Sequence, residues 1–278
     1  MQISFKEKRP TLYIVATPIG NLEDITLRAL NTLKAVAVVF AEDTRVSAGL
    51  LNYYNIDTKL ISYYEERKYE KIDLVMSYLN EGLDIALVSD AGTPGISDPG
   101  FELINAVIEA GYYVVSIPGA VASIAALTTS GLLMQPHLFV GFLPRKQSEI
   151  ISELKKYEKL AATLIFYESP NRVKKTLNYL YEVYGDRRVV LARELTKLYE
   201  TITRSTLAEL KDADINIKGE YVILVEGFVK PEIINPNIIE YVDKYIEKGY
   251  TEKAAMKAAA LELNISKKLV YQKYKIEK

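Results

Sequence analysis

The chain has 278 residues, about half of them hydrophobic, and its 35 basic and 36 acidic side chains nearly balance, as in an ordinary soluble globular protein of about two domains. It contains no cysteine and one histidine, which excludes disulfides, cysteine-ligated metals and histidine-rich zinc sites and argues against a Ser-His-Asp triad. No apolar run reaches about 18 residues, and the N-terminal MQISFKEKRP has no apolar core behind its charges, so we expect no membrane span, no signal peptide and a cytoplasmic location.

Residues 1–134 alternate between short apolar runs and amphipathic segments, the pattern of βαβ units around a mostly parallel sheet. The apolar runs are predicted strands: LYIVA (from Leu12), AVAVVFA, TKLISY, LDIALV and YYVVSI. The segments between and after them are predicted helices: DITLRALNTLK (from Asp24), VSAGLLNYY, a polar stretch near 69–79, a helix from Phe101 and AVASIAALTTSG. We therefore predict an N-terminal α/β domain over 1–134.

A second α/β domain is predicted over 135–230, where the pattern restarts at HLFVGFL. The further predicted strands are TLIFYE, RVVLARE, TITRSTL and YVILVEGF, and helices are predicted over 148–159, 170–184 and 208–213. Strands with fewer helices between them favour a mixed sheet. We interpret His137, beside Pro136 at the junction, as structural rather than catalytic.

Residues 231–278 have a helical pattern throughout and are predicted to form a C-terminal helical module. Its centre is rich in alanine, and the turn ELNIS offers Ser266 as a helix cap. The sequences KGYTEK and SKK suit a contact with RNA or with the ribosome, and a packing appendage is the equal alternative.

Four loops follow predicted strands of the first domain, at the sheet edge where open parallel sheets bind ligands. They are TPIGNLED, AEDTR, SDAGTPGISDPG and PGAVAS. The third packs three glycines, two prolines and two aspartates into twelve residues, which is more conformational constraint than a plain turn needs. Neither GxGxxG nor GxxxxGK[ST] occurs, so we expect a small cofactor held by backbone and loops, without a dinucleotide or P-loop site and without a metal.

These four loops, with GFLPRK, YESPNR and RELTKLYE in the same order and spacing, resemble the ribosomal RNA small subunit methyltransferase I family of the tetrapyrrole-methylase superfamily. The likeness spans about Leu12 to Gly227. It implies a two-domain class III methyltransferase fold with S-adenosylmethionine in the cleft between the domains. It also implies methyl transfer to the ribose 2′-hydroxyl of a cytidine in the decoding region of small-subunit ribosomal RNA, by a homodimer.

Carried over position by position, the resemblance implies cofactor-binding residues in both domains: Pro18, Ser89, Asp90, Thr93, Val121, Ala122, Ser123, Phe166 and Leu195. The chemistry agrees with the resemblance. A carboxylate such as Asp90 suits the amino group or the ribose hydroxyls of this cofactor, and loop N–H groups suit its carboxylate.

A ribose hydroxyl is weakly acidic, so a positioned base would assist the transfer and a nearby cation would stabilise the developing alkoxide. The sequence leaves the base open among five carboxylates: Asp24, Glu42, Asp43, Glu168 and Glu194. It leaves the cation open between Arg45 and Lys197. From these two groups the catalytic candidates carried forward are Glu42, Asp43, Glu168 and Lys197.

Several basic residues could contact RNA phosphates, which supply much of the affinity of RNA-binding proteins. They are Arg45, Arg145, Lys146, Arg172 and Arg193, with Lys197 and Arg204 extending the set.

Two other functions stay open. One is a tetrapyrrole C-methyltransferase, against which GFLPRK and the absence of a GDP-type loop at 89–91 argue. The other is a non-catalytic ribosome-binding protein that retains the fold.

Overall fold

The computed structural model describes residues 2–4, 6–63, 68–97, 100–229, 237–263 and 265–276. The chain divides into two compact units, Met1–Phe228 and Val229–Lys278. The first unit contains two five-stranded sheets. The predicted boundary at 134/135 lies between these sheets, and the division into three domains stays a prediction.

The five predicted strands of the first half form one parallel sheet, in the order β3-β2-β4-β1-β5. The strands are β1 (Thr11–Val15), β2 (Val38–Ala41), β3 (Lys59–Ser62), β4 (Ile85–Val88) and β5 (Tyr113–Ile117). The helices are α1 (Leu27–Ala35), α2 (Thr44–Tyr53), α3 (Lys68–Asn80), α4 (Phe101–Glu109) and α5 (Ala122–Ser130). Helices α1 and α2 cover one face of the sheet and α3 and α4 the other, so β2 and β4 are buried along their whole length.

The helix predicted from Asp24 begins at Leu27, because Thr26 caps it. The Thr26 hydroxyl accepts a hydrogen bond from the Ala29 amide at 3.1 Å. Residues Leu22–Asp24 form a separate 3₁₀ turn. The first loop therefore extends to Thr26 and is longer than the sequence pattern indicates.

The second sheet is mixed, as predicted, in the order β6-β7-β10-β8-β9. Strands β6 and β7 pair in parallel and the other pairs are antiparallel. The strands are β6 (His137–Phe142), β7 (Thr163–Glu168), β8 (Arg188–Arg193), β9 (Thr201–Thr206) and β10 (Tyr221–Val225). The helices are α6 (Gln147–Lys155), α7 (Pro170–Tyr184) and α8 (Leu207–Leu210), and all three pack on one face of the sheet.

Helix α5 follows the last strand of the first sheet but packs on the second sheet. Its residues Ala126 and Leu127 are buried against Ile165, Val190 and Leu224. These strand residues alternate with those that face α7, so α5 covers the opposite face. The loop between β5 and α5 consequently joins the two sheets.

The second unit contains three helices, α9 (Ile238–Glu247), α10 (Glu252–Glu262) and α11 (Lys267–Ile276), around a small core of its own. The predicted Ser266 cap is confirmed, since its hydroxyl accepts a hydrogen bond from the Leu269 amide at 3.2 Å. The part of the predicted helical stretch over 231–236, and Asn264 of the predicted turn, lie outside the described residues. Within the described ranges, no helix has the length and apolar character that crossing a membrane requires.

Candidate active site

A cavity of about 360 Å³ lies between the carboxyl ends of the parallel strands and the second sheet. The loops after β1, β4 and β5 form one wall, and β7, α7, β8 and β10 contribute to the other. Apolar side chains form more than half of the lining: Ile19, Ala91, Ile96, Val121, Ala122, Phe142, Pro170, Ala192, Leu195 and Val222. Among the residues that the structure describes, the lining carboxylates are Glu168 and Glu220. The cavity thus combines apolar walls with two acidic groups.

Three loops of the first sheet are tied together beside the cavity. Thr17 and Gly92 exchange backbone hydrogen bonds of 2.8 and 3.1 Å, and the Thr93 hydroxyl donates to the Ala120 carbonyl at 3.4 Å. Gly92 has a φ of +81°, which glycine adopts without strain. The constrained loop therefore forms part of a braced wall. Asp98 and Pro99, which also belong to it, lie outside the described residues.

Of the predicted cofactor residues, Thr93, Val121, Ala122 and Leu195 line the cavity. Pro18 directly precedes the lining residue Ile19.

Two predicted serines are buried behind the lining residues. The Ser89 hydroxyl donates to the Ala91 carbonyl at 3.4 Å, and the Ser123 amide donates to the Tyr167 hydroxyl at 3.0 Å. The second bond joins the N-terminus of α5 to β7. Ser89 therefore supports the wall through its hydroxyl, and Ser123 supports it through its backbone amide.

Neighbouring residues of β7 face opposite sides of the second sheet. Phe166 is fully buried in the core under α7, whereas Tyr167 lines the cavity. The alternation of side chains along TLIFYE was the signal that could have identified Tyr167. Glu220 precedes a strand instead of following one, and no sequence pattern singled it out.

The loop after β2, which carries Glu42 and Asp43, does not line the cavity. Asp43 caps α2, and its carboxylate accepts hydrogen bonds from the Arg45 amide at 2.8 Å and from the Arg45 guanidinium at 2.6 and 3.0 Å. The Asp43 amide donates to the exposed Asp90 carboxylate at 3.0 Å. This pairing favours a structural role for Asp43 and Arg45.

The hydrogen bonds from the Arg45 side chain and amide lower the pKa of Asp43 from 3.8 to about 2. Because the pKa of Asp43 is depressed by folding, its ionised carboxylate stabilises the fold at every pH above the pKa of the unfolded chain. This stabilisation is lost as the pH falls through the pKa of the folded protein. We expect a carboxyl carbon NMR titration to place the Asp43 midpoint near pH 2, and the Arg45→Gln variant to return it toward 3.8. A midpoint near 3.8 in the unaltered protein would contradict the pairing.

Glu168 lines the cavity, yet its carboxylate is engaged on the protein side. It accepts hydrogen bonds from the Ser169 amide at 2.9 Å and from the Thr176 hydroxyl at 2.7 Å. Its side chain is fully buried and lies 3.3 Å from the Arg172 guanidinium. Arg172 in turn donates to the Leu143 and Pro144 carbonyls at 3.0 and 2.7 Å. Glu168 and Arg172 therefore anchor the loop that contains Arg145 and Lys146.

Lys197 does not line the cavity but links Glu194 to the lining residue Glu220. Its ammonium donates to Glu194 at 2.9 Å and to the lining residue Glu220 at 2.8 Å. Burial alone would lower the pKa of Lys197, but the hydrogen bonds to Glu220 and Glu194 outweigh it and raise that pKa. The Lys197 side chain also packs on Gly20, where a Cβ atom would lie 2.5 Å from it. Lys197 therefore connects the first loop to the second sheet and stays charged at neutral pH.

The turn that carries Lys197 holds two non-glycine residues with positive φ, Glu194 at 53° and Thr196 at 66°. Such conformations cost about 1–3 kcal/mol each and cluster at functional sites. The Thr196 amide donates to the Glu200 carboxylate at 2.6 Å. Among the described residues, the buried Thr196 hydroxyl has no hydrogen-bond partner. Since RELTKLYE has no glycine, its sequence did not indicate this strained backbone.

The remaining predicted RNA contacts lie outside the cavity lining. Arg145 is exposed, and Lys146 is exposed apart from an ion pair with Glu149 at 3.3 Å. The Arg193 guanidinium donates to the Lys218 carbonyl at 2.8 Å. Of these three, Arg145 and Lys146 leave the most side-chain surface for a partner.

Comparison with known proteins finds close relatives along nearly the whole chain. The family model of the tetrapyrrole (corrin/porphyrin) methylases matches residues 11–211. A Bacillus subtilis protein named ribosomal RNA small subunit methyltransferase I is 44% identical, with 99% of this chain and 98% of that protein covered. A Pseudomonas aeruginosa protein of the same name is also 44% identical, with 94% and 95% covered.

Solved structures share the fold at much lower identity. A cobalt precorrin-4 methyltransferase of cobalamin biosynthesis superposes with a TM-score of 0.60 at 21% identity, covering 78% of this chain and 94% of that one. This likeness confirms the predicted fold class, with its parallel first sheet, mixed second sheet and helical C-terminal end. The chain belongs to the tetrapyrrole methylase family and, within it, to the ribosomal RNA small subunit methyltransferase I group.

Proposed function

We propose that the protein transfers a methyl group from S-adenosylmethionine to the ribose 2′-hydroxyl of a cytidine in the decoding region of small-subunit ribosomal RNA. The observation that carries the proposal is the 44% identity over nearly the full chain to proteins named for methylation of this RNA. The resemblance of the loop motifs supports the same reaction. A cytoplasmic location and a homodimer remain parts of this proposal.

The cavity suits S-adenosylmethionine in size and chemistry. About 360 Å³ lies within the usual range for sites of small ligands. The apolar walls suit an adenosine, and Glu220 suits a positive sulfonium or ammonium group, whereas the Glu168 carboxylate is engaged by Ser169, Thr176 and Arg172. Helix α5 has no side-chain cap from Val121, and although its Ser123 amide donates to the Tyr167 hydroxyl, the partial positive charge of the helix N-terminus suits a carboxylate. Thr93, Val121, Ala122 and Leu195 would then hold the cofactor, with Pro18, Ser89, Asp90, Ser123 and Phe166 supporting it.

When bound, this cofactor supplies an already activated methyl group, so alignment of the acceptor accounts for much of the acceleration. The braced wall of loops supplies a fixed geometry for that alignment. Of the four catalytic candidates, we propose that Lys197 stabilises the developing alkoxide, because it is charged and held against the lining residue Glu220. We propose that Glu168 positions the RNA-facing loop, and that Glu42 and Asp43 shape the loop beside Asp90.

RNA would approach the site along Arg145 and Lys146, with Arg45, Arg172 and Arg193 as further candidates. We expect Arg145→Ala with Lys146→Ala to leave cofactor affinity unchanged and to reduce the salt slope of RNA binding by about two, one for each phosphate that is no longer neutralised. Filter binding at several salt concentrations measures this slope. The matched control is Lys155→Ala with Lys159→Ala, which removes two exposed charges elsewhere on the same unit. Equal slopes in both double variants would place the RNA elsewhere.

The proposed function is tested with methyl-labelled S-adenosylmethionine and unmethylated small ribosomal subunits, followed by nucleoside analysis. Label in 2′-O-methylcytidine is the expected result. Cofactor binding without labelled RNA would overturn the acceptor and direct the test to a tetrapyrrole substrate. Absence of cofactor binding by calorimetry would favour a non-catalytic ribosome-binding protein.

A further inference from the structure

The C-terminal unit has an uneven distribution of charge along its sequence. Residues 251–276, which include α10 and α11, carry six lysines and two glutamates, whereas residues 237–250 carry two lysines and three acidic residues. The stretch 265–276 has four lysines and no acidic residue. Positive charge is therefore concentrated on the last helix.

The two glutamates of this region are neutralised within the unit. Glu252 pairs with Lys275 at 2.5 Å, and Glu262 pairs with Lys244 at 3.3 Å. The Glu262 carboxylate also accepts a hydrogen bond from the Tyr245 hydroxyl at 2.5 Å. Of the α11 lysines, Lys275 is paired with Glu252, whereas the first turn of the helix, which contains Lys267 and Lys268, has no acidic residue.

Helix α11 packs on the rest of the unit through one side only. Val270 and Tyr274 are buried in the core of the unit with Ala259 of α10. Lys267, Lys268, Tyr271 and Gln272 are exposed, and the Tyr271 side chain is 55% accessible. Residues four apart lie on one side of a helix, so 267 and 271, and 268 and 272, are neighbours. We call these four exposed residues the basic face.

Helix stability does not explain the lysines at the start of α11. The N-terminus of a helix carries partial positive charge, so acidic residues stabilise it and cations do not. Helices α9 and α10 follow this rule, with Glu240 and Glu252 in their first turns. Helix α11 has no acidic residue there and begins with Lys267 and Lys268. This exception favours a role in binding an anionic partner.

We propose that the basic face of α11 binds the sugar-phosphate backbone of small-subunit ribosomal RNA, with Tyr271 placed to stack on an unpaired base. Ammonium groups and exposed aromatic rings are the combination that proteins use on single-stranded RNA loops. Val270 and Tyr274 hold α11 in the core of the unit against α10, which fixes the face on a compact support. The proposal rests on the proposed function for the identity of the RNA and adds a second RNA-binding surface to it.

The test uses the full chain with Lys267→Gln and Lys268→Gln, and the control Lys253→Gln with Lys257→Gln removes the same charge from exposed positions of α10. Binding is measured to unmethylated small subunits and to protein-free small-subunit RNA at several salt concentrations. We expect the α11 variant to bind both about tenfold more weakly at moderate salt, with a salt slope lower by about two. Tyr271→Ala should weaken binding without changing the slope.

Three results would overturn the proposal: an unchanged slope in the α11 variant, an equal loss in the α10 control, or a loss confined to intact subunits. The last would mean that a ribosomal protein contacts this face. Label transfer by the unaltered protein tests the proposed function separately. A protein that transfers label but shows no effect of the α11 variant would disprove only the surface, and one that transfers none but shows the effect would disprove only the reaction.

Discussion

Replacing Lys197 by methionine is expected to slow methyl transfer about 100- to 1000-fold, the usual cost of removing one group that stabilises a developing oxyanion. Methionine retains most of the side-chain length, so packing against Gly20 is kept while the charge is removed. In the unaltered protein the Lys197 ammonium lies between Glu194 and Glu220, and hydrogen bonds to both keep it protonated. Single-turnover rates with saturating cofactor and RNA measure the effect.

The Lys197→Arg variant serves as the control, because it keeps a positive charge beside Glu220. We expect it to recover part of the rate. The affinity of each variant for S-adenosylmethionine, measured by calorimetry, distinguishes a lysine that stabilises the alkoxide from one that only positions the cavity wall. If Lys197→Met weakens cofactor binding as much as it slows the reaction, the lysine acts through the cavity wall and our assignment is wrong.

Replacing Glu168 by alanine is expected to destabilise the first unit by about 2–4 kcal/mol, because three donors lose a buried acceptor at once. These are the Ser169 amide, the Thr176 hydroxyl and the Arg172 guanidinium. In a unit of this size, the melting temperature should fall by roughly 5–10 °C. Thermal unfolding followed by circular dichroism gives the shift.

Glu168→Gln provides the matched comparison, since it keeps a hydrogen-bond acceptor but removes the charge. We expect it to recover more than half of the decrease in melting temperature. It should also retain RNA binding, if the role of Glu168 is to hold Arg172 against the Leu143 and Pro144 carbonyls. A glutamine variant that folds like the original protein yet transfers no methyl group would instead identify Glu168 as the base.

Local sequence patterns were sufficient for the two sheets. Within the run AVAVVFA, Val38–Ala41 form β2 and are buried on both faces of the parallel sheet, as a continuous apolar run bounded by turns predicts, whereas Ala35 ends α1. The constrained loop after β4 was also evident, because glycine and proline report backbone requirements at their own positions. Thr93 and Val121, which line the cavity, were identified as cofactor residues by the family resemblance of these loops.

The interactions that complete the site connect residues far apart in sequence, and local patterns do not contain them. Lys197 meets Gly20 across most of the unit, and Arg172 meets carbonyls of a loop that lies about 30 residues earlier. The strained φ of Thr196 arises from such contacts and not from its own preference, since a β-branched residue disfavours it. A sequence pattern therefore identifies candidate residues but does not distinguish a structural residue from a catalytic one.

The placement of α5 determines where this chain can be divided in gene fusions or by evolutionary shuffling. A cut at residue 134 would separate Ala126 and Leu127 from Ile165, Val190 and Leu224, and both fragments would expose apolar surface that the intact unit hides. Fragments of that kind tend to aggregate. A cut before Ala122 would leave the helix with the sheet that it covers. The chain is therefore better divided before α5 than at the start of the second sheet, which begins at His137.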